Sequence, residues 1–453
     1  MQACGAAPFY LFSSIQIVRF TMDNLFQQSN APCRRLVRGG LVAVGARDVR
    51  QADMLISEKG IILDIAPDIE PEGDMQLIDA AGCIASPGLV DMHQHLDKTG
   101  VLRFAPNPSG TLQGARDAFA KYARQAPPDD ILKRASRTIE RCLSRGTTAI
   151  RSHVNVDKDA GFNGIEALAK LRSDWADRVK LQLVAFMIPH PGQDLDWLEA
   201  NIDRAVALAD AVGGTPAVAE DPERYLDILF AAAARHGRPV DLHLDEHLNP
   251  QRPLFNAVFE RVRRYGLEAR TVLSHASVLS AMNRPDFEAI LEQIIALKLG
   301  VVTLPAANLY LQARDCDKLP PRGLTRVAEI VRAGVPIATA SDNIEDPFVP
   351  TGSGDMLEIA RWTLLAGHLK GDELATAYAM ITSIPAKLMG LKDYGLHRGA
   401  RADFLLAKAE SIDGFVAGGT PHLRVFSNGT LVSETQIATV TAAKTQSVAR
   451  EPA

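Results

Sequence analysis

The segment Asp91-Met-His93-Gln-His95 sets two imidazoles two residues apart. In an extended chain such a pair points to one side, a spacing that suits two nitrogen ligands on one metal ion. Three further candidates stand far along the chain: His243 in Asp241-Leu-His243-Leu-Asp-Glu246-His247, His275 in Leu273-Ser-His275, and Asp342 in Ala338-Thr-Ala-Ser-Asp342-Asn343. Three neutral imidazoles and one carboxylate leave a divalent ion with net positive charge. An open position on such an ion holds a water whose pKa falls from ~15.7 toward ~7, giving a hydroxide nucleophile at neutral pH. Glu246, three residues past His243, is placed to carry a proton to a ring nitrogen or a leaving amine. His275 is open between two roles, a fourth nitrogen ligand or a donor that hydrogen-bonds the hydroxide. A His₃Asp set suits zinc and iron alike.

These residues act together only if the fold gathers them. Between Ser86 and Leu365 brief apolar runs alternate with amphipathic stretches, the pattern of repeated βα units. Candidate strands are Ala85–Asp91, Thr147–His153, Lys180–Phe186, Ala211–Val218, Pro239–Leu244, Thr271–His275, Val301–Leu304 and Pro336–Ser341. Helices are expected over Asp129–Arg145, Asp196–Ala209, Pro222–His236, Arg284–Lys298 and Thr325–Ala333, with Gly237, Gly300 and Gly334 as helix C-caps. Eight such units, with no G-x-G-x-x-G after the first strand, predict an α/β fold of the (β/α)8 TIM-barrel type over 86–391. In that fold every strand's C-terminal end faces one mouth, where His93, His95, His243, His275 and Asp342 would meet. Short strands near Leu36–Val44, Met54–Ile56, Ile61–Ile65, Arg401–Ala407 and Val425–Val432 predict a small β-sandwich domain built from both termini, 22–85 plus 392–434. Asn428-Gly429 is its hairpin turn. Residues 1–21 and 435–453 are expected to be loose tails, and Met22 is an alternative start to Met1.

Composition narrows the partners. The 453 residues are 47% hydrophobic and 23% charged, with a net charge of −5. No basic field exists to draw nucleic acid or an anionic membrane. The apolar run Ala7–Val18 is too short to span a bilayer. Five cysteines, Cys4, Cys33, Cys83, Cys142 and Cys316, show no C-x-x-C spacing. That argues for a reduced, cytoplasmic protein without a thiolate zinc site. The expected partner is a small molecule, and a homo-oligomer is left open.

Other candidates surround the proposed mouth. His153 ends the second strand and is expected to line the pocket, and Lys98 to reach substrate or pair with Asp97. His190 is a possible loop contact after the third strand. His236 suits a helix end, and His247, His368, His397 and His422 have no geometric case.

In His93-Gln-His95-Leu-Asp, Thr147-Thr-Ala-Ile-Arg-Ser-His153-Val, Leu181-Gln-Leu-Val-Ala-Phe186, His243-Leu-Asp-Glu246, Ser274-His275, Asn308-Leu-Tyr-Leu-Gln-Ala-Arg314, Arg322-Gly-Leu-Thr-Arg326-Val and Ser341-Asp342, the chain resembles the cytosine deaminase branch of the amidohydrolase superfamily. The resemblance runs from about Pro87 to Leu406. It implies one divalent metal ion on His93, His95, His243 and Asp342, Glu246 as acid and base, and His275 holding the hydroxide. No lysine stands at the third or fourth strand end for a bridging carbamate, in keeping with one ion. Ser341-Asp-Asn-Ile, Val349-Pro-x-Gly352-x-Gly-Asp355-Met356 and His95-Leu-Asp-Lys98 are also similar to the N-isopropylammelide isopropylaminohydrolases, which displace an alkylamine from a triazine ring.

Departures from the cytosine deaminase pattern fall on substrate reading. Met187-Ile188 replace Pro-Gln, Ala217-Val-Ala replace His-Phe-Glu, Asn343 replaces a second Asp, and Phe348 matches an aromatic wall residue. A pocket built to hydrogen-bond a ring edge discriminates by about 10⁴ or more, so cytosine itself is not expected as substrate. The expected enzyme is a hydrolase of carbon–nitrogen bonds other than peptide bonds. It would deaminate a heterocyclic amidine, with substrate contacts at Lys98, His153, Phe186, Asn343 and Phe348. The alternatives are hydrolysis of an amide or N-alkylamino substituent, and a non-catalytic metal-binding barrel.

Overall fold

A computed structural model describes residues 33–189 and 195–439. His190 and the expected tail 1–21 lie outside these, as does the C-terminal tail beyond residue 439. The N-terminal strands are β1 (Arg34–Ala43), β2 (Val49–Ile56), β3 (Ile62–Ala66), β4 (Met75–Asp79) and β5 (Ile84–Pro87). Strands β6 (Leu89–Gln94), β7 (Thr147–Val156), β8 (Lys180–Met187), β9 (Ala211–Gly214), β10 (Val240–Leu244), β11 (Thr271–His275), β12 (Gly300–Thr303) and β13 (Ile337–Thr339) follow, and β14 (Phe404–Ala407), β15 (His422–Ser427) and β16 (Thr430–Gln436) close the chain.

Strands β6 to β13 pair in parallel and in chain order. The ring is nearly closed by a parallel bridge between Gln94 and Asp342, where the Asp342 N–H donates to the His93 carbonyl at 2.9 Å. This is the expected barrel, and each expected strand finds its place in it. One expectation merged two elements. The run Ala85–Asp91 divides into β5, which belongs to the terminal sheet, and β6, the first barrel strand. Gly88 stands between them, where a Cβ would sit 2.0 Å from Thr148 Oγ1. Strand β9 also stops early, at Gly214, and the expected remainder turns into a single 3-10 turn at Pro216–Val218.

Gly237 and Gly334 cap their helices with φ of 61° and 76°, as left-handed C-caps should. Gly300 does not: it opens β12, and the left-handed residue after that helix is Lys298, with φ of 54°. Space explains the glycine, since a Cβ there would lie 2.5 Å from Leu388.

The terminal strands join into one eight-stranded sheet. At its bulge β1 parts company with itself. Arg34–Arg38 pairs with β4, and Leu41–Val42 pairs with β5. The forked sheet encloses Met54, Ile56, Ile62, Ile78 and Phe404, with Phe426 stacked on Phe404 at 4.4 Å. Asn428 and Gly429 both have positive φ in the β15–β16 hairpin, the geometry an Asn-Gly turn prefers. Among the described residues no helix is long and apolar enough to cross a membrane.

Candidate active site

The first barrel strand is anchored before it delivers its histidines. Asp91 is buried, accepting hydrogen bonds from Gln94 Nε2 (2.8 Å), Ser341 Oγ (2.5 Å) and the Ser341 N–H (3.1 Å). That stitches the end of β6 to the residues just past β13, so His93 and Asp342 are held side by side. Asp342 and His275 both sit in left-handed backbone, with φ of 61° and 65°. Such conformations cost non-glycine residues about 1–3 kcal/mol and persist where surrounding structure imposes them, as at functional sites.

Four donor atoms converge at this mouth. His93 Nε2 and His95 Nε2 each lie 3.2 Å from His243 Nε2, and Asp342 Oδ1 lies 3.2 Å from His95 Nε2 and 3.6 Å from His93 Nε2. Donors held about 2.1 Å from a tetrahedral ion stand about 3.4 Å apart. The spacing therefore fits one divalent cation, and Asp342 Oδ1 has no hydrogen-bond partner among the described residues. Burial keeps the imidazoles of His93, His95 and His243 far from protonation, ready to donate lone pairs. It also pushes Asp342 well above the usual carboxylate range, helped by the negative charges of Glu246 and Asp346. A bound cation reverses that last penalty. His275 offers a ring nitrogen within 4.8 Å of the donors from His93, His243 and Asp342, so distance alone leaves it near enough to join them.

Behind the donors lies a supporting layer. His93 Nδ1–H donates to Ser274 Oγ (2.9 Å), Ser274 donates to Asp241 Oδ1 (3.0 Å), and Arg151 donates to Asp241 Oδ2 (2.8 Å). Burial raises the Asp241 carboxyl, but His153 and Arg151 outweigh it and hold the group below its ordinary pKa. The chain fixes the His93 tautomer with Nε2 free. Supporting partners of this kind are worth about 10–100-fold in metal affinity. Ser274→Ala is accordingly expected to weaken metal retention about 10–100-fold in a chelator competition; an unchanged affinity would remove Ser274 from the site.

His153 departs from expectation. It is fully buried, stacked on His93 at 3.9 Å and 3.3 Å from Asp241, beneath the donors rather than on the cavity wall. Its backbone carbonyl accepts from His95 Nδ1–H at 3.0 Å. Lys98 Nζ is also 3.0 Å from that nitrogen. One hydrogen cannot serve both contacts, and donation to the carbonyl leaves Lys98 without an acceptor there. Of the two alternatives for Lys98, the ion pair with Asp97 does not form, and the Asp97 carboxylate accepts the Asn155 N–H; Lys98 lies 5.2–5.5 Å from the ring centres of Phe119, Phe186 and Phe348.

A cavity partly open to solvent leads to these groups. Lys98, Phe186, Asn343 and Phe348 line it, together with Glu246, His243, His275 and Asp342. Glu246 is pushed up to about 7 by burial, against the pull of Arg116, Lys98 and His247. Its Oε1 is 3.7 Å from His275 Nδ1. Asn308 donates its amide N–H to the same Nδ1 at 3.1 Å, leaving His275 Nε2 to carry the hydrogen. Ile188 and Val218 also face the cavity and add apolar surface to its wall. His236, His368, His397 and His422 have partners of their own elsewhere.

The helix Leu112–Ala123, not foreseen from the sequence, forms one side of the cavity with Gln113, Arg116 and Phe119. Its signal was present: Thr111 caps Gly114, and Ala115, Phe119 and Ala123 recur at helical spacing. Asn155, also missed, lines the cavity with a buried, unpartnered Oδ1.

The sequence profile of the amidohydrolase family matches residues 76–136 and 126–415. The chain is 30% identical to the pterin deaminase of Rhizobium rhizogenes, over 86% of this chain and 90% of that one. It is 28% identical to N-isopropylammelide isopropyl amidohydrolase of Pseudomonas sp., over 80% and 88%. The crystal structure of 5-methylcytosine deaminase from Klebsiella pneumoniae with phosphonocytosine superposes with a TM-score of 0.82 at 27% identity, covering 90% of this chain and all of that one.

Proposed function

The chain belongs to the amidohydrolase family and is a hydrolase of carbon–nitrogen bonds other than peptide bonds; from that premise we propose that it removes an amino group from a heterocyclic amidine, with a pterin as the first ring to test. The observation that carries this reading is Glu246, a carboxylate buried on the cavity wall beside a cluster of metal-binding type, its pKa raised to about 7. A closed structural metal site has no use for such a group. The resemblance to a pterin deaminase supports a bicyclic ring.

His93, His95, His243 and Asp342 would hold one zinc or iron ion, whose chemistry is to activate a water at neutral pH. Glu246 takes a proton from the attacking water as the water oxygen bonds to the ring carbon, and delivers it to the neighbouring ring nitrogen. His275, with Nε2–H facing the same point, donates to the oxygen as charge gathers on it. The second oxygen of Asp342 accepts the remaining hydroxyl hydrogen, which passes to the amino group so that it departs as ammonia. Phe186 and Phe348 flank the ring, and Lys98 holds a ring oxygen near the reacting carbon.

The test is ammonia release by metal-loaded protein across pterins, cytosines, aminotriazines and creatinine analogues. Turnover is expected on one class. Silence across the panel with metal bound would overturn deamination. The likeness to N-isopropylammelide isopropyl amidohydrolase favours one second reading, loss of an alkylamine from a triazine, which the same panel reads by the amine released.

A further inference from the structure

We propose that the ring carries a carboxylate at the end away from the reacting carbon, and that Arg116 selects it; this rests on the deaminase reading and adds the substrate class. The acidic groups of the cavity are already engaged. Glu246 and Asp342 belong to the chemistry. Asp157 accepts the N–H groups of Asp159 and Ala160 and the Asn155 amide, and Asp117 accepts the Gln113 amide. The cations are not so engaged. Arg116, half-buried on the cavity wall, makes no hydrogen bond or ion pair among the described residues. Lys98, buried, touches three aromatic rings and an imidazole but no carboxylate.

The two cations stand at different depths. Lys98 crowds His95 on the floor beside the donors, within reach of a carbonyl next to the reacting carbon. Arg116 projects from the helix Leu112–Ala123 that walls the cavity. A small neutral ring engages the first and leaves the half-buried guanidinium without an acceptor. A carboxylate on the far end of the ring supplies two parallel acceptors for the guanidinium fork. Asp117, which also lines the cavity next to Arg116, disfavours a doubly charged phosphate there. A buried acceptor, Asn155 Oδ1, is available to a ring N–H.

A rival assignment exists. Glu246 feels the charge of Arg116, so the guanidinium could serve the catalytic carboxylate rather than the substrate. Matched aminopterin-type, aminopyrimidine and aminotriazine rings, each with and without a ring carboxylate, separate the two. For metal-loaded wild type, kcat/KM is expected to favour the carboxylated member of a pair by about 10–100-fold, the worth of a charged hydrogen-bond pair. Arg116→Gln should erase that preference, mainly through KM, and Arg116→Lys should restore part of it. Equal kcat/KM for both members in wild type would overturn the proposal. So would an equal fall on both members in Arg116→Gln with a displaced acid limb in the pH profile, which would assign Arg116 to Glu246. Calorimetric binding of the same pairs to the Glu246→Gln protein reads the preference without turnover. The carboxylate proposal therefore stands or falls separately from deamination.

Discussion

Glu246→Gln is expected to lower kcat by about 10²–10⁴-fold while metal content stays at the parental level. The substitution keeps size and burial and removes the negative charge and the capacity to exchange a proton. Four groups bear on the native carboxylate besides burial: Arg116, Lys98 and His247 favour its ionised form, and His275 faces it at 3.7 Å. Burial dominates, and the pKa stands at about 7. The sign follows. Glu246 must be ionised to take the first proton, so kcat/KM should rise with pH through an acid limb and level off above it. A cation bound nearby favours the ionised form and should carry that limb below about 7. In the Gln variant the limb should vanish from whatever activity remains. A variant that turns over normally with its metal in place would end the deaminase mechanism and leave a metal-binding barrel without catalysis.

The donor set was legible because the physics that places it is local and periodic. Residues two apart in a strand share a side, and strand ends share a mouth, so His93, His95, His243, His275 and Asp342 converge once eight strands are counted. What escaped depends on packing that no single segment encodes. Strand β7 is buried along its whole length, so its pattern does not say which face looks into the cavity, and His153, whose place near a strand end suggests the wall, stacks on His93 instead. Gly300 looked like a helix cap because glycine serves two ends, a left-handed turn and a close approach; only the position of Leu388 distinguishes them. Arg116 escaped for another reason. Its helix is inserted after β6, outside the regular βα alternation, and nothing short of the assembled cavity marks that residue among the chain's many arginines.

Stripping the metal should have the largest effect of all. Chelation followed by dialysis is expected to abolish turnover, and addition of zinc or iron to restore it, the more effective ion identifying the native one. Stability should change as well, because an ion that binds only the folded state at a free concentration a thousandfold above its Kd contributes about 4 kcal/mol. The metal-free protein should thus unfold at lower temperature than the loaded one. Two substitutions sharpen the point. His243→Ala removes a nitrogen that lies 3.2 Å from both His93 and His95, and should lose metal and turnover together. His275→Ala removes a ring whose Nδ1 accepts from Asn308 and whose Nε2 therefore carries hydrogen. A protonated nitrogen cannot ligate, so that variant should keep its metal and lose turnover alone. Loss of metal from His275→Ala would instead make His275 a fourth nitrogen ligand, and full turnover by protein shown to be metal-free would dissolve the assignment of the whole cluster.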